Sequence, residues 1–178
     1  MKAAVPSAWL VAIVTVSVAL AGEGNGARLA ADAVALCMQA DTVERAERAP
    51  LLRRGLALAE EAVVADEENA RAHFAVFCTL GKLVDLDGLG WRTLGTAVRV
   101  RREVERAVAL DPTDVDALVG KGVLLLRLPR MLGGDFDQGV LCLERALRLD
   151  PWHAEARAQL RRLRGASEPV ALGAGRTE

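Results

Sequence analysis

Apolar and small residues recur roughly every three to four positions along most of the chain, with short polar breaks between the runs. The clearest stretch, Val104 to Pro151, opens with VERAVALDP and closes with LERALRLDP, 39 residues later. Between these copies, Thr113 to Leu128 has a polar start and then small and apolar residues, which predicts a helix antiparallel to the first. Such self-similarity indicates stacked helical units, because each unit has an apolar face that only a neighbour can cover.

The repeated segments resemble the tetratricopeptide repeat (TPR), a helix-turn-helix unit of about 34 residues. In the last unit the matching positions are Leu118, Gly122, Gly139, Leu143, Ala146 and Pro151. The two units before it match at Val100, Val104, Ala107 and Pro112, and at Gly55, Ala59 and Ala62. The second unit departs from the pattern at Phe77, where Gly is expected, and at Leu80, where an aromatic residue is expected. The resemblance implies an all-α, right-handed α-solenoid of about three helix pairs with a C-terminal capping helix.

Two phrases resemble a narrower bacterial group: LGKLVDL at Leu80 to Leu86 and LPRMLGGD at Leu128 to Asp135. They are similar to periplasmic repeat proteins akin to the helical component associated with tripartite ATP-independent (TRAP) transporters, and to the regulator of microtubule dynamics type. The resemblance covers roughly Ala27 to Arg164.

The first residues are typical of a secretory signal. Met1 to Ala21 has one Lys, an uncharged apolar run, and Ala19-Leu20-Ala21 before Gly22, an A-x-A cleavage pattern. The alternative is an uncleaved anchor helix, but the apolar run is short for a membrane span. No Cys lies near Gly22, so a lipid anchor is not expected. We therefore expect a periplasmic or secreted protein without stable membrane insertion after cleavage.

The chain divides into four parts by pattern. We expect a signal peptide at 1–21, a flexible Gly-rich linker at 22–26, the helical repeat domain at 27–164 and a disordered tail at 165–178. An apolar content of 52% is ample for one core, and the absence of Tyr fits a helical array better than a sheet. The net charge of -1 gives no field that favours nucleic acid.

The sequence contains an insertion, Asp85 to Trp91, between two predicted helices. Its D-x-D-G pattern lacks the further oxygen ligands and distal Glu of a calcium loop. Trp91 either folds the insertion against the repeats, which we favour, or presents an anchor to a partner.

Candidate catalytic chemistry is sparse. His73 and His153 have no ligand-spaced partner, and no nucleophile, phosphate or dinucleotide motif occurs, so we expect a non-enzymatic protein without a metal or cofactor. Cys37, Cys78 and Cys142 lie in helical apolar patterns. Three small buried thiols are the favoured interpretation, and one disulfide plus a free thiol is the alternative.

The inner wall of a helical solenoid is its default binding surface, lined by the first helix of each unit. An apolar floor with an Arg at either end suits a protein or peptide segment. The residues predicted to line this groove are Arg71, Phe74, Cys78, Asp116, Val119, Val123 and Arg127. For Phe74 and Val123 a place in the core is an equally good interpretation.

Two functions follow from these observations. The first is an exported scaffold whose groove holds a protein or peptide partner in the cell envelope. The alternative, which rests on the transporter-associated resemblance alone, is an accessory subunit of a solute uptake system that binds small ligands. The identity of the partner and the oligomeric state stay open.

Overall fold

The computed structural model describes the backbone of residues 8–88 and 94–167, and the side chains of residues 24–88 and 95–165. These residues form seven α-helices and no β-strand, which confirms the predicted all-α class. The helices are α1 (Ala8–Gln39), α2 (Arg45–Ala65), α3 (Ala70–Asp87), α4 (Leu94–Leu110), α5 (Val115–Arg127), α6 (Phe136–Leu149) and α7 (Ala154–Ser167). A short 3-10 helix, Arg130–Leu132, lies between α5 and α6.

Consecutive helices pack in pairs, α1 with α2, α3 with α4 and α5 with α6. The chain forms two compact units, an N-terminal unit of Met1–Pro112 and a C-terminal unit of Thr113–Glu178. In the N-terminal unit, α3 also packs against α1 and α2, while in the C-terminal unit α7 packs against α6 and α5. Three helix pairs and a final helix are therefore present, as the repeat pattern predicts.

Small residues allow three helices to meet in the N-terminal unit. The buried face of α2 consists of Leu52, Gly55, Ala59 and Ala62, at helical spacing. A Cβ atom at Gly55 would lie 3.1 Å from Cγ2 of Thr79 on α3 and 3.3 Å from the carbonyl oxygen of Ala33 on α1. The absence of a side chain at Gly55 therefore lets α1 and α3 approach α2 together.

A closer helix contact occurs in the C-terminal unit. A Cβ atom at Gly122 on α5 would lie 2.9 Å from the carbonyl oxygen of Gly139 on α6, and one at Gly139 would lie 2.7 Å from Cγ of Leu126. The two glycines face each other, so the backbones approach without intervening side chains. The sequence predicts this close approach from the repeat positions of both glycines.

Short polar side chains cap three helices at their first turn. From the sequence, the polar residues Asn69, Thr113 and Asp135 are expected to cap the helices that follow them. Asn69 accepts a hydrogen bond from the Ala72 amide and Asp135 accepts one from the Gln138 amide, which confirms two of these caps. The cap of α5 is one residue later than expected, because the side chain of Asp114 accepts the bond from the Ala117 amide. Each cap satisfies an amide that has no partner inside its helix.

The first helix is longer than the sequence pattern predicts. Residues 22–26, expected as a flexible linker, lie within α1. Gly26 is buried and sits against the end of α2, where a Cβ atom would lie 3.4 Å from that of Ala65, so packing favours the helix here. At the other end α7 continues to Ser167, past the predicted start of the tail. Within the part of the chain whose side chains are described, no helix has the length and apolar character needed to span a membrane.

Candidate functional site

The three predicted groove residues of the N-terminal unit lie on α3, most of which is covered by neighbouring helices. Phe74 is 4% exposed and Cys78 is 9% exposed, whereas Arg71 is only half-buried. The Arg71 guanidinium lies over the Phe74 ring, 5.2 Å from its centre. Phe74 is therefore a core residue with a cation above it, and Arg71 is the member of this group that offers surface.

Cys78 forms a disulfide with Cys37, which joins α3 to α1 across 41 residues of sequence, with the two Cα atoms 6.3 Å apart. This corrects the favoured interpretation of three buried thiols and makes the alternative, one disulfide and one free Cys142, the observed state. Helical periodicity could place each cysteine on a buried face, but it could not show that two faces meet. A bonded and buried Cys78 cannot act as a free groove side chain.

The four predicted groove residues of the C-terminal unit lie on α5. Val119 is 2% exposed and belongs to the core, while Asp116 and Val123 are half-buried and Arg127 is exposed. Asp116 lies 3.3 Å from Nε2 of His153, which precedes α7. The accessible members of this group are therefore Asp116, Val123 and Arg127, and their role in binding stays a prediction.

The remaining predicted positions lie at or beyond the limits of the described side chains. Trp91 falls outside the described residues, so its assignment as an insertion contact stays a prediction. Ala19 and Ala21 lie within α1, in the part for which only the backbone is described. Cleavage after Ala21 likewise stays a prediction.

A group of exposed apolar side chains, which the helical pattern does not indicate, lies in the turn after α5 and at the first residue of α6. Met131 is 89% exposed, Phe136 57% and Leu132 40%. We call these three residues the turn patch. Large apolar side chains that stay in water mark interaction sites when they cluster on a defined structure. The signal was present in the sequence, since Met131 and Leu132 stand in a turn without helical periodicity and so have no face to bury them.

Backbone hydrogen bonds hold the turn that carries this patch. The Gly134 amide donates to the carbonyl of Pro129 at 3.0 Å, and the Asp135 amide donates to that of Leu125 at 3.1 Å. Gly133 has a φ of 86°, the left-handed region that favours glycine. A Cβ atom at Gly134 would lie 1.8 Å from the carbonyl oxygen of Leu128. Both glycines are needed for this conformation, so the turn presents the patch on a fixed backbone.

A buried polar network links helices of the N-terminal unit. Nδ1 of His73 on α3 lies 2.8 Å from the carboxylate of Glu103 on α4, and Nε2 lies 2.9 Å from the carbonyl oxygen of Glu67. Arg102 and Arg99 also approach the Glu103 carboxylate, at 3.1 and 3.7 Å. Burial of the Glu103 carboxylate raises its pKa, but the hydrogen bonds from His73 and Arg102 outweigh burial, so the pKa is lowered. Glu103 is thus held as an anion, and both nitrogens of His73 face acceptors.

This network has the composition of a structural ion pair. Among the residues that the structure describes, no group of three or more His, Cys, Asp or Glu side chains is placed to hold a metal ion. The free thiol of Cys142 is half-buried, and burial raises its pKa although Lys121 and Arg145 act in the opposite direction. A raised pKa keeps this thiol protonated near neutral pH, unlike an activated nucleophile.

Comparison with known proteins bears on the fold and the family. The family model described as "Regulator of microtubule dynamics protein 1-3" matches residues 26–126, more than half of the chain. This match confirms one of the two narrower resemblances in the sequence; similarity to the transporter-associated component stays a prediction. No match to a curated protein is found.

Three solved TPR structures share the fold. The Arabidopsis OM64 TPR domain has a TM-score of 0.53 at 15% identity, with 78% of this chain and 98% of that chain covered. The first TPR of Spaghetti (RPAP3), bound to the HSP90 peptide SRMEEVD, has a TM-score of 0.51 at 17% identity, with 77% and 94% covered. The first TPR domain of human RPAP3 has a TM-score of 0.52 at 17% identity, with 77% and 93% covered. The fold is therefore that of TPR domains, which are helical solenoids.

Proposed function

The chain belongs to the regulator of microtubule dynamics protein 1-3 family, and from that premise we propose that it is a non-enzymatic scaffold that binds a protein or peptide partner. The observation that carries the proposal is the turn patch of Met131, Leu132 and Phe136. Two of these large apolar side chains remain in water on a turn whose backbone is fixed by hydrogen bonds and two glycines, and the third stands at the start of the helix that follows. A rigid, exposed apolar group gives contact area with little loss of conformational freedom on binding.

The shared fold supports this proposal in a general way. One TPR domain of the same fold was solved with a peptide bound, so helical units of this kind can hold a short segment of another protein. In this chain Val123 and Arg127 are accessible residues of α5, the helix that leads into the turn. In the proposed contact Val123 adds to the apolar centre and Arg127 to a charged rim, which is the usual arrangement of a protein interface.

We also propose that the protein acts outside the reducing cytoplasm, in the cell envelope or beyond it. The signal-like segment Met1 to Ala21 and the disulfide between Cys37 and Cys78 support this location independently. Disulfides persist in oxidising compartments and are rare in reduced ones. Recovery of the protein from the envelope fraction, with a new N-terminus at Gly22, would support the proposal. An unprocessed protein found only in the cytoplasm with reduced cysteines would contradict it.

The binding proposal is tested by quantitative capture of partners from an envelope extract. The test variant carries Met131→Ser, Leu132→Ser and Phe136→Ser. We expect it to retain less than about a tenth of the captured partner, since apolar anchors at an interface centre each contribute about 1 to 2 kcal/mol or more. Circular dichroism should show unchanged helicity, because none of the three side chains is in the core.

The matched control removes three exposed apolar side chains of the N-terminal unit, through Met38→Ser, Val64→Ser and Val98→Ser. We expect the control to capture the partner as the wild type does. Equal capture by all three proteins, or equal loss in both variants, would show that the turn patch is not the binding site.

A further inference from the structure

Helix α7 carries a positively charged face on its solvent-exposed side. Arg157, Arg161 and Arg164 are exposed and stand at the i, i+4 and i+7 positions of α7, which places them on one side of the helix. Arg162 is exposed beside them. Against these four arginines α7 has a single acidic residue, Glu155. We call Arg157, Arg161 and Arg164 the arginine face.

Most of these guanidinium groups have no partner among the residues that the structure describes. Arg161, Arg162 and Arg164 make no hydrogen bond or ion pair with any residue in the described part of the chain. The arginines of α4 behave differently, since Arg99 pairs with Glu60 and Arg101 with Glu105. Described carboxylates therefore pair with Arg99 and Arg101 of α4, whereas none pairs with Arg161 or Arg164 of α7 in the part of the chain that the structure describes.

An exposed aromatic ring stands where this face begins. Trp152 precedes α7 and is 79% exposed, although its four-residue spacing from Ala156 and Leu160 would place it on the buried face of a longer helix. The helix begins only at Ala154, so Trp152 does not share its buried face. The Arg157 guanidinium lies over the indole ring, 5.2 Å from its centre. A stacked guanidinium keeps its N–H edge free to bind a carboxylate in bidentate fashion.

We propose that the arginine face, with Trp152 at its start, is a second docking surface, and that its partner is an acidic segment of another protein. Along a helix, Arg157 and Arg161 are about 6 Å apart, close to the roughly 6.6 Å between alternate residues of an extended strand. An extended segment with carboxylates at alternate positions therefore matches the face. Trp and Arg are the residue types that dominate binding energy at protein interfaces.

The surroundings of the helix favour a protein partner over a membrane or a nucleic acid. Insertion into a membrane surface requires a free apolar helix face, but Ala156 and Leu160 of α7 are buried in the C-terminal unit. Nucleic-acid binding requires an extended basic field, and the chain has a net charge of -1. Three arginines over about 10 Å of helix fit a short acidic segment better.

The test measures fluorescence polarisation of a labelled peptide with the full-length protein at low ionic strength. The probe is the amidated heptapeptide Leu-Glu-Ala-Glu-Ala-Glu-Ala, and its matched control replaces each Glu with Gln. We expect the acidic peptide to bind at least about tenfold more tightly than the neutral one. Arg161→Glu with Arg164→Glu should weaken binding of the acidic peptide at least about tenfold, since attraction becomes repulsion.

The control variant, Arg53→Glu with Arg54→Glu, makes the same charge change on α2, where both arginines are exposed and have no partner among the described residues. It should change the affinity by less than about twofold, because it makes the same change in net charge and leaves the proposed contact residues of α7 unaltered. If the Glu pair lowers helicity, Arg161→Gln with Arg164→Gln serves as a second variant, because it removes both positive charges without adding negative ones. It should also weaken binding of the acidic peptide. The Ser triple variant of the turn patch should bind the peptide normally, which separates this proposal from the proposed function.

Three outcomes would overturn the proposal. One is equal binding of the acidic and neutral peptides. Another is equal weakening by the α7 and α2 charge changes, which would indicate a diffuse field instead of a site. The third is preference for phosphatidylserine vesicles or for single-stranded RNA over the acidic peptide, since either would assign the face to another class of partner.

Discussion

In the N-terminal unit, neighbouring polar side chains stabilise the buried carboxylate of Glu103. Glu103 is buried, yet three side chains approach its carboxylate: His73 from α3, and Arg99 and Arg102 from its own helix. His73 uses its other ring nitrogen to contact the Glu67 carbonyl oxygen. Removal of one partner would leave the other buried and uncompensated.

We expect Glu103→Gln to lower the free energy of unfolding by about 1.5 to 3 kcal/mol at neutral pH, the usual contribution of a hydrogen bond to a charged group. The pKa of Glu103 in the folded protein lies below its ordinary 4.5. Stabilisation by this anion is therefore full above the unfolded value and is lost as the pH falls through the folded pKa. Urea unfolding should show that the wild type and Glu103→Gln converge in acid.

Glu105→Gln is the matched control, because Glu105 lies on the same helix and pairs at 2.8 Å with the partly exposed Arg101. Its effect should stay below about 1 kcal/mol, as for other surface ion pairs. Equal losses in both variants, or a Glu103→Gln deficit that persists unchanged in acid, would contradict this description of the network.

At the residue scale the sequence predicted caps and small-residue positions better than surface sites. Asn69 and Asp135 were predictable because a cap depends on its own helix. The burial of Val119 and the exposure of Trp152 were not, because each depends on where a helix begins or on what covers it. For Phe74 the sequence left core and groove equally open, and the structure places the ring in the core. The turn patch could have been found, since its residues break the apolar period in a turn.

At the scale of helices, the contact of α5 with α6 depends on two facing glycines. A Cβ atom on Gly122 or Gly139 would approach backbone oxygen or the Leu126 side chain at 3.0 Å or less. The repeat pattern predicted this contact because the positions recur at fixed spacing. It could not predict that the carbonyl of each glycine would face the other.

We expect Gly139→Ala to destabilise the protein by about 1 to 3 kcal/mol, because the added methyl group overpacks the contact and forces α5 and α6 apart. Gly165→Ala is the control, since a Cβ atom at this helical position meets nothing within 4 Å. There the better helix propensity of Ala should leave stability unchanged or raise it by up to about 1 kcal/mol. Thermal unfolding monitored by circular dichroism compares the two, and a reversed order would contradict the packing described.

A second feature at the scale of helices is the disulfide that joins α1 to α3. The disulfide of Cys37 and Cys78 is supported by Lys82 on α3, whose ammonium group donates to the Cys37 carbonyl oxygen at 2.9 Å and to the Asp41 carboxylate at 2.5 Å. Three contacts thus tie the end of α1 to one side of α3. Sequence spacing alone left the pairing open, because it carries no information on which helices adjoin.

Replacement of both bonded cysteines with Ser should lower the free energy of unfolding by about 3 to 4 kcal/mol, the range expected for a closed loop of this length. Reduction of the wild type should lower it by a similar amount, while Cys142→Ser should have little effect because this thiol is free. Urea unfolding under oxidising and reducing conditions measures the difference. Alkylation of all three cysteines in the native, unreduced protein would show that the bond is absent.

At the scale of the molecule, the repeat pattern predicted the fold class and the succession of helix pairs. Both the fold class and the succession of helix pairs depend on the periodic spacing of apolar residues, which can be read directly from the sequence. The binding surface was harder to predict, because Phe74 and Cys78 of α3 and Val119 of α5, which were assigned to the inner wall, are buried. Among the exposed apolar side chains, those of the turn patch stand on a backbone fixed by hydrogen bonds, and the proposal assigns the docking site to them.

The central claim, that a partner protein docks on the turn patch, is tested most directly by photo-crosslinking in cells. p-Benzoylphenylalanine replaces either Met131 in the patch or Val64 on α2, both of which are almost fully exposed. The account predicts a discrete adduct with one partner from position 131 and none from position 64. No adduct at position 131, or the same adducts from both positions, would contradict it.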